Sequence, residues 1–428
     1  MDGRLVDQFA GVGFKRLSAV DCISEGVSNQ HELNVSAAMR SFLGESRQTF
    51  ECTYFRFEGT FAEGVYDSEE LTATYYNARQ RQERRSPEFR LVYPSTSRIM
   101  RSAREGDYCW VLRRTADDRL LVVVAEDDSP VARQLDRLIG TDMRGSSGVD
   151  GQGVLTIGSL QSAADEDLSV EDADLLVLLG LSVKVRHTEA VAKVIDRFGG
   201  TTSMPSTKDF AEFTRGLCRT VEPTEEPDLA LHDWYTFTTE MYFGYEAHVL
   251  QPILNGHFAM QPSIDVNAFF DVAKRHMNSR YSRAGYTFEH HVGALLDAHG
   301  LAHHRGTKRL PDGSKPDFLF PGLGAYSDAD APVELLTFLG AKTTTKERWM
   351  QVVAEAPRIK IRYLVTMDRE LNGDILAAMA FNEVRPVIPA PIASTQYAGE
   401  HRIITVAEFI ALVEERQDEL VSLGVRLV

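Results

Sequence analysis

The sequence predicts a multidomain protein of mixed α and β structure, with a β-rich N-terminal part and an α/β C-terminal part. Three observations carry this expectation. Over about the first 160 residues, short apolar runs (TFECTYFRFEG, TATYYNA, YCWVLRR and RLLVVVAED) are separated by glycine, serine and charged turns, the pattern of a small barrel or sandwich. Composition then changes, with an acidic stretch SAADEDLSVEDAD (162–174) and a small-residue stretch GGTTSMPSTKD (199–209). Beyond these, apolar strands alternate with helical segments, as in a mixed sheet flanked by helices. The expected domains are 1–162 and 203–428, with 163–202 as a linker carrying bridging elements.

Within 163–202, LLVLLGLSVKVRHTEAVAKVIDRF reads either as a strand and helix extending the first domain or as a bridge. The C-terminal part opens on helical segments: DFAEFTRGL, the aromatic DWYTFTTEMYFGYEAHVL and VNAFFDVAKRHM. Pro316 then ends an irregular approach and Asp317 opens the apolar run FLF, which places the carboxylate at the start or bend of a strand. ELLTFLGAK alternates up to Lys342 and reads as a neighbouring strand, so that Lys342 and Asp317 can face each other. After Thr343 the pattern turns helical. Thr344 or Thr345 can cap KERWMQVVAEA, a helix expected to run to Pro357, with Arg348, Val352 and Glu355 along one face. IRYLVTMD, a helix around ILAAMAFN, VRPVIPAPI, RIITV and a final AEFIALVEERQDELVSL complete the alternation.

Asp317, Lys342 and Glu355 form a chemical constellation. Phosphodiester hydrolysis needs acidic oxygens to hold Mg²⁺ and a cation beside the attacking water, and two carboxylates with a lysine meet that need. Taken singly, each residue is also an ordinary turn cap, strand-end charge or solvated helix residue. The histidines offer no competing centre, because His290–His291 and His303–His304 are adjacent pairs without metal-ligand spacing.

The segment resembles the catalytic domain of the EcoRII type of restriction endonuclease, a type IIE branch of the PD-(D/E)xK nucleases. The matching words are SRAGYTFEHHVGALLDAHGL (282–301), KPDFLFP (315–321), Tyr326, LGAKTTTKERWMQV (339–352) and Glu355, about 75 residues in register. The superfamily's usual acid two residues before the lysine is replaced here by Gly340, and the branch supplies a glutamate further on, matching Glu355. The resemblance implies metal ligation by Asp317 and Glu355, water activation by Lys342, and supporting roles for Tyr326 and Glu289. It also implies target reading just after the lysine, by Lys346, Glu347 and Arg348. Their chemistry suits a C:G pair, since Arg or Lys donates to guanine and a carboxylate accepts from the cytosine amino group. Arg280 matches a family arginine and is expected to contact DNA, and Arg305 is a weaker candidate of the same kind. Trp234, Tyr235 and Tyr242 read first as core aromatics, although some relatives stack a flipped base on such residues.

In the N-terminal part, KRLSA (15–19) and YYNAR (75–79) resemble the effector domain of the same enzymes, a pseudobarrel like that of the plant B-three DNA-binding domains. The resemblance implies that Lys15, Arg16, Asn29, Gln30, His31, Arg79, Arg81, Arg84, Arg85 and Arg90 grip a second copy of the target.

Charge is consistent with a selective partner. A formal net charge of −16 argues against general nucleic-acid stickiness, yet Arg79–Arg104 holds eight arginines against two glutamates and Lys342–Arg362 six bases against two acids. Cys22, Cys52, Cys109 and Cys218 are too scattered for a zinc site and are expected as reduced core residues. The opening MDGRLVDQF has no signal-peptide pattern and no apolar run is long enough to span a membrane, so the cytoplasm is the expected location.

The implied function is Mg²⁺-dependent cleavage of double-stranded DNA at a short, near-palindromic CC…GG site of CCWGG type, leaving 5′-phosphates. The resemblance further implies a homodimer, allosteric control through two or three target copies, and a cognate cytosine methyltransferase as cellular counterpart. A modification-dependent or repair nuclease of the same fold, and a catalytically silent DNA-binding regulator, are the rival readings.

Overall fold

The computed structural model describes residues 8–22, 31–36, 39–59, 66–81, 85–139, 156–157, 168–181, 183, 185–199, 204–218, 220–257, 266–306, 313–345 and 348–427. The chain forms two compact units, Met1–Lys184 and Val185–Val428.

The N-terminal unit is built on one eight-stranded sheet. Its strands are β1 (Phe9–Arg16), β2 (Glu32–Val35), β3 (Gln48–Phe57), β4 (Tyr66–Asn77), β5 (Phe89–Val92), β6 (Tyr108–Arg114), β7 (Leu120–Ala125) and β8 (Thr156–Ile157), in the order β2-β5-β4-β3-β7-β6-β1-β8. β3 and β7 run parallel and the other neighbours antiparallel. The helices are α1 (Arg40–Leu43), α2 (Arg98–Ser102), α3 (Pro130–Ile139) and α4 (Val170–Leu178). β7 is buried along its whole length because its two faces feed different cores. One holds Val122 and Val124 with Phe50, Tyr54, Tyr75 and Met100; the other holds Leu121 and Val123 with Trp110, Leu135 and Leu175. Cys22, Cys52 and Cys109 form no disulfide and are buried, and burial pushes the Cys52 and Cys109 thiols up to about 12, the behaviour of packing groups.

The segment 163–202 is shared between the units. LLVLL, expected as a strand or bridge, is helical: a capping box of Ser169 and Asp172 starts α4, which packs its leucines into the N-terminal core. α5 (Thr188–Phe198) belongs to the C-terminal unit, where Val191 and Val194 pack with Phe210, Met241 and Tyr245.

The C-terminal unit continues with α6 (Thr207–Leu217), α7 (Pro227–His257) and α8 (Val266–Ala298). The sheet follows: β9 (His304–Arg305), β10 (Phe318–Phe320), α9 (Leu323–Ser327), β11 (Thr337–Lys342), α10 (Trp349–Val353), β12 (Arg362–Thr366), α11 (Gly373–Phe381), β13 (Val384–Val387), α12 (Ala390–Gln396) and α13 (Val406–Ser422). The strand order is β13-β12-β11-β10-β9, parallel from β11 to β13 and antiparallel from β9 to β11. This is a mixed sheet covered by helices, with Phe288, Phe318, Phe338, Leu364 and Phe409 in its core. RIITV, expected as a strand, contributes a single bridge from Ile404 to Val387 before α13 begins. Among the described residues no helix is long and apolar enough to cross a membrane.

Candidate active site

The antiparallel pairing of β10 and β11 brings Asp317 and Lys342 together. Phe318 lies opposite Leu339, so the residue entering β10 meets the residues leaving β11. The Asp317 carboxylate accepts from Lys342 Nζ at 2.7 Å and from the Ala341 amide at 2.8 Å through the same oxygen, Oδ2. Both side chains are mostly covered but still reach solvent.

Glu355 joins them by an unexpected route. The helix expected over 346–356 is cut short: α10 ends at Val353, and Glu355 sits in the turn beyond it, its amide bonded to the Val352 carbonyl. The residue before a proline is disfavoured in helical conformation, and Ala356, which precedes Pro357, turns left-handed at φ 47°. Arg362 holds this turn by donating from Nε to the Glu355 carbonyl at 2.9 Å.

Packing explains why Gly340 stands where related nucleases place an acid. A Cβ at 340 would lie 2.9 Å from Val352 Cγ2 and 3.4 Å from Leu364 Cδ1. α10 is pressed onto that strand face, so a side chain at 340 would collide with it. Glu355 lies in the turn beyond that covering helix.

Glu289, on α8, completes an acidic group. Burial, followed by the charge of Asp317, pushes the Glu289 carboxyl from an ordinary 4.5 up to about 7; burial and Asp317 do the same to Glu355. Lys342 works against both shifts. Two glutamates are therefore held as weak acids around one ionised pair, the kind of perturbation found where function requires it. Among the described residues, Glu355 Oε2 is buried without a hydrogen-bond partner. Three carboxylates and an orphaned carboxylate oxygen suit a hard divalent cation. Their oxygens are not closed on a common centre, and no set of three or more His, Cys, Asp or Glu among the described residues is positioned to hold an ion.

The remaining expected residues are placed as follows. Tyr326 is buried on α9; its carbonyl accepts from Arg358, whose guanidinium lies 5.5 Å from the tyrosine ring. Arg358 thus ties Tyr326 to the chain just beyond Glu355. Arg305 lies at the edge of the acidic group, with one nitrogen 2.8 Å from His290 Nδ1 and another 3.9 Å from Glu289 Oε2. Burial, then Arg305, lowers His290 to about 4, so this imidazole is neutral at pH 7. Arg280 is engaged within the protein, pairing with Glu246 at 2.6 Å across α7 and α8. Arg348 is exposed immediately before α10, while Lys346 and Glu347 lie outside the described residues. Trp234, Tyr235 and Tyr242 are buried, against His291, Phe288 and Phe210 respectively.

On the N-terminal unit one expectation is corrected. Lys15 is only 4% exposed and pairs with buried Asp21 at 2.6 Å, so its charge is used inside the fold and has no face for a phosphate. Arg16 is 58% exposed at its side chain and bonds Asp127 and the Gly106 carbonyl. Arg81 and Arg85 are exposed; Arg79 pairs with Glu88, and Arg90 with Glu32 and Glu88. His31 packs edge-on to Tyr93. Asn29, Gln30 and Arg84 lie outside the described residues.

Arg358, Arg362 and Asp368 are structural partners of the site that sequence reading did not single out. The only local signal was an acid at the end of IRYLVTMD, beside the end of the lysine-bearing strand.

Residues 242–410, which contain this whole acidic group, match the family model described as EcoRII C terminal. This stretch is similar to the C-terminal domain of EcoRII-type enzymes. The type II restriction enzyme EcoRII of Escherichia coli is 37% identical to the chain over 168 residues, 39% of this chain and 40% of that enzyme. The type II restriction enzyme SsoII of Shigella sonnei is 27% identical over 150 residues, 33% of this chain and 48% of that enzyme. The chain thus spans less than half the length of the curated relatives it matches. Among solved structures, metal-depleted Ecl18kI in complex with uncleaved, modified DNA superposes with a TM-score of 0.44 at 18% identity, covering 55% of this chain and 86% of that one. The PspGI–substrate DNA complex gives 0.40 at 16% identity, covering 50% and 94%.

Proposed function

We propose that the EcoRII-type domain cleaves double-stranded DNA at specific sites, as a type II restriction endonuclease. The observation that carries this reading is the Asp317–Lys342 pair flanked by two glutamates whose protons are held up to about pH 7. Carboxylates gathered at such a cost in mutual repulsion are typical of a site that receives positive charge. Asp317 and Glu355 would hold Mg²⁺, with Glu289 and Tyr326 in support. When bound, the ion would polarise the scissile phosphate and favour hydroxide over water. Lys342, released from part of its contact with Asp317, orients the attacking water and stabilises the negative charge that develops on it, and the products carry 5′-phosphates.

For recognition, Lys346, Glu347 and Arg348 would read a C:G pair of a near-palindromic CC…GG site of CCWGG type. The exposure of Arg348 just beyond the catalytic lysine supports this. Arg305, at the edge of the acidic group, is the second contact favoured, and Arg280 would position α7 against α8. A two-fold target calls for a homodimer acting in the cytoplasm beside a cognate methyltransferase. The N-terminal unit would be a B-three-like pseudobarrel that binds another target copy through Arg16, His31, Arg79, Arg81, Arg85, Arg90 and the loop residues Asn29, Gln30 and Arg84, and so relieves inhibition.

The test is to incubate the protein with unmodified plasmid and Mg²⁺ and to sequence the cut ends. Discrete ends sharing one motif, abolished by Lys342→Ala with binding retained, are expected. Absence of cutting sinks the endonuclease reading, and cutting confined to methylated plasmid replaces it with a modification-dependent enzyme. A cutting rate unchanged by a second target duplex in trans removes the effector role.

A further inference from the structure

The chain leaving the catalytic strand is anchored by an acid that belongs to neither the catalytic group nor the expected base readers. β11 and β12 run parallel with Lys342 opposite Thr366, so the segments that follow them emerge side by side. Asp368, 6% exposed, faces the emerging Thr343–Thr345 segment. Its Oδ2 accepts from both the amide and the hydroxyl of Thr345, each at 2.7 Å. Its Oδ1 accepts from the Glu370 amide at 2.9 Å, and its carbonyl from the Tyr397 hydroxyl at 3.0 Å. Thr366 adds a bond from its hydroxyl to the Thr343 carbonyl.

Thr345 is fully buried, and its two ends serve different partners. Its side chain and amide are tied to Asp368, while its carbonyl accepts from the Trp349 amide at the start of α10. Arg348 therefore adjoins a point tied back to Thr345, since the Trp349 amide that follows it is held by the Thr345 carbonyl. Hydrogen bonds to a desolvated carboxylate are among the stronger ones in proteins, and this anchor is correspondingly stiff.

We propose that Asp368 is a positioning residue for target selectivity: through Thr345 and its bond to Trp349 it sets where Arg348 stands, without touching DNA or the reacting atoms. The inference rests on the proposal that 346–348 read bases. It follows from the general requirement that a group discriminating between bases be held to a fraction of an ångström by residues behind it.

The test is to measure cut-site selection on a duplex library randomised around the target, alongside thermal melting, for Thr345→Val, Thr345→Ser, Asp368→Asn, Glu347→Ala and Arg348→Ala. Thr345→Val deletes the hydroxyl donor but keeps shape, the carboxylate and the amide bond, so it carries the test if Asp368→Asn does not fold. Thr345→Ser keeps both donors. The expected result is a loss of about tenfold in preference for the favoured base pair in Thr345→Val and Asp368→Asn, comparable with losing one base contact, and recovery in Thr345→Ser. Unchanged selection in a folded Thr345→Val protein, with Glu347→Ala and Arg348→Ala altering it, overturns the positioning role alone. Equal loss in Thr345→Val and Thr345→Ser also overturns it, since packing rather than the anchor would then be at work. If none of the five variants alters selection, the base-reading proposal has failed and this inference falls with it.

Discussion

Asp368 and Glu355 are both acids withdrawn from solvent near the end of β11, and the protein treats them in opposite ways. Every oxygen of the Asp368 side chain is met by amides or a hydroxyl, on a scaffold that Tyr397 and Thr366 also brace. Glu355 is given an orphaned oxygen and two acidic neighbours, Asp317 and Glu289. A satisfied buried carboxylate stabilises the fold, and an unsatisfied one beside its own kind destabilises it until something positive arrives. The difference separates a residue kept for architecture from one that, under the proposed function, is kept for chemistry.

Four measurements would break or sharpen this comparison, the largest effect first. Lys342→Ala or Asp317→Ala is expected to lower the cleavage rate by roughly 10²–10⁴-fold while the melting temperature stays near that of the parent, since neither residue is fully buried. Asp368→Asn should do the reverse in kind, costing about 1–3 kcal/mol in urea unfolding because amides that met a carboxylate lose acceptors. Gly340→Ala should cost about 1–3 kcal/mol as its methyl meets Val352, with part of the loss recovered in the Gly340→Ala, Val352→Ala double variant.

Glu355→Gln carries the smallest effect and the opposite sign. The folded-state carboxyl of Glu355 titrates near 7 against an ordinary 4.5, so its contribution to stability is present below about 4.5 and is lost as pH rises to about 7. Without metal, the glutamine variant should therefore gain on the order of 1 kcal/mol over the parent at pH 8 and nothing at pH 4, followed by thermal melting in the two buffers. A variant less stable than the parent at pH 8 would remove the distinction drawn between the two acids.

Much of the C-terminal unit was legible in the chain. FLF and ELLTFLGAK announced two strands, and their carboxylate and lysine meet through the antiparallel pairing of β10 with β11, across a connection that contains α9. What local pattern could not supply was how far a helix continues or which charge is buried. KERWMQVVAEA has helical composition throughout, yet Ala356 and Pro357 break it early, and Glu355 reaches the site from a turn that Arg362 holds. Lys15 looks like a surface cation in KRLSA, and only the approach of Asp21 shows it spent on the core. LLVLL carries no period that tells a buried strand from a buried helix, so the cap at Ser169 and the packing of both faces decided it.

By itself, then, the sequence determined the alternation of strands and helices and the residue types of the candidate acidic group, because periodicity and chemical type are properties of the chain taken locally. Only the tertiary structure decided that Gly340 is required by Val352, that Glu289 and Glu355 share protons' worth of repulsion with Asp317, and that Asp368 anchors Thr345. Burial and electrostatic coupling depend on distances through space between segments far apart in the chain, and no local pattern encodes those distances.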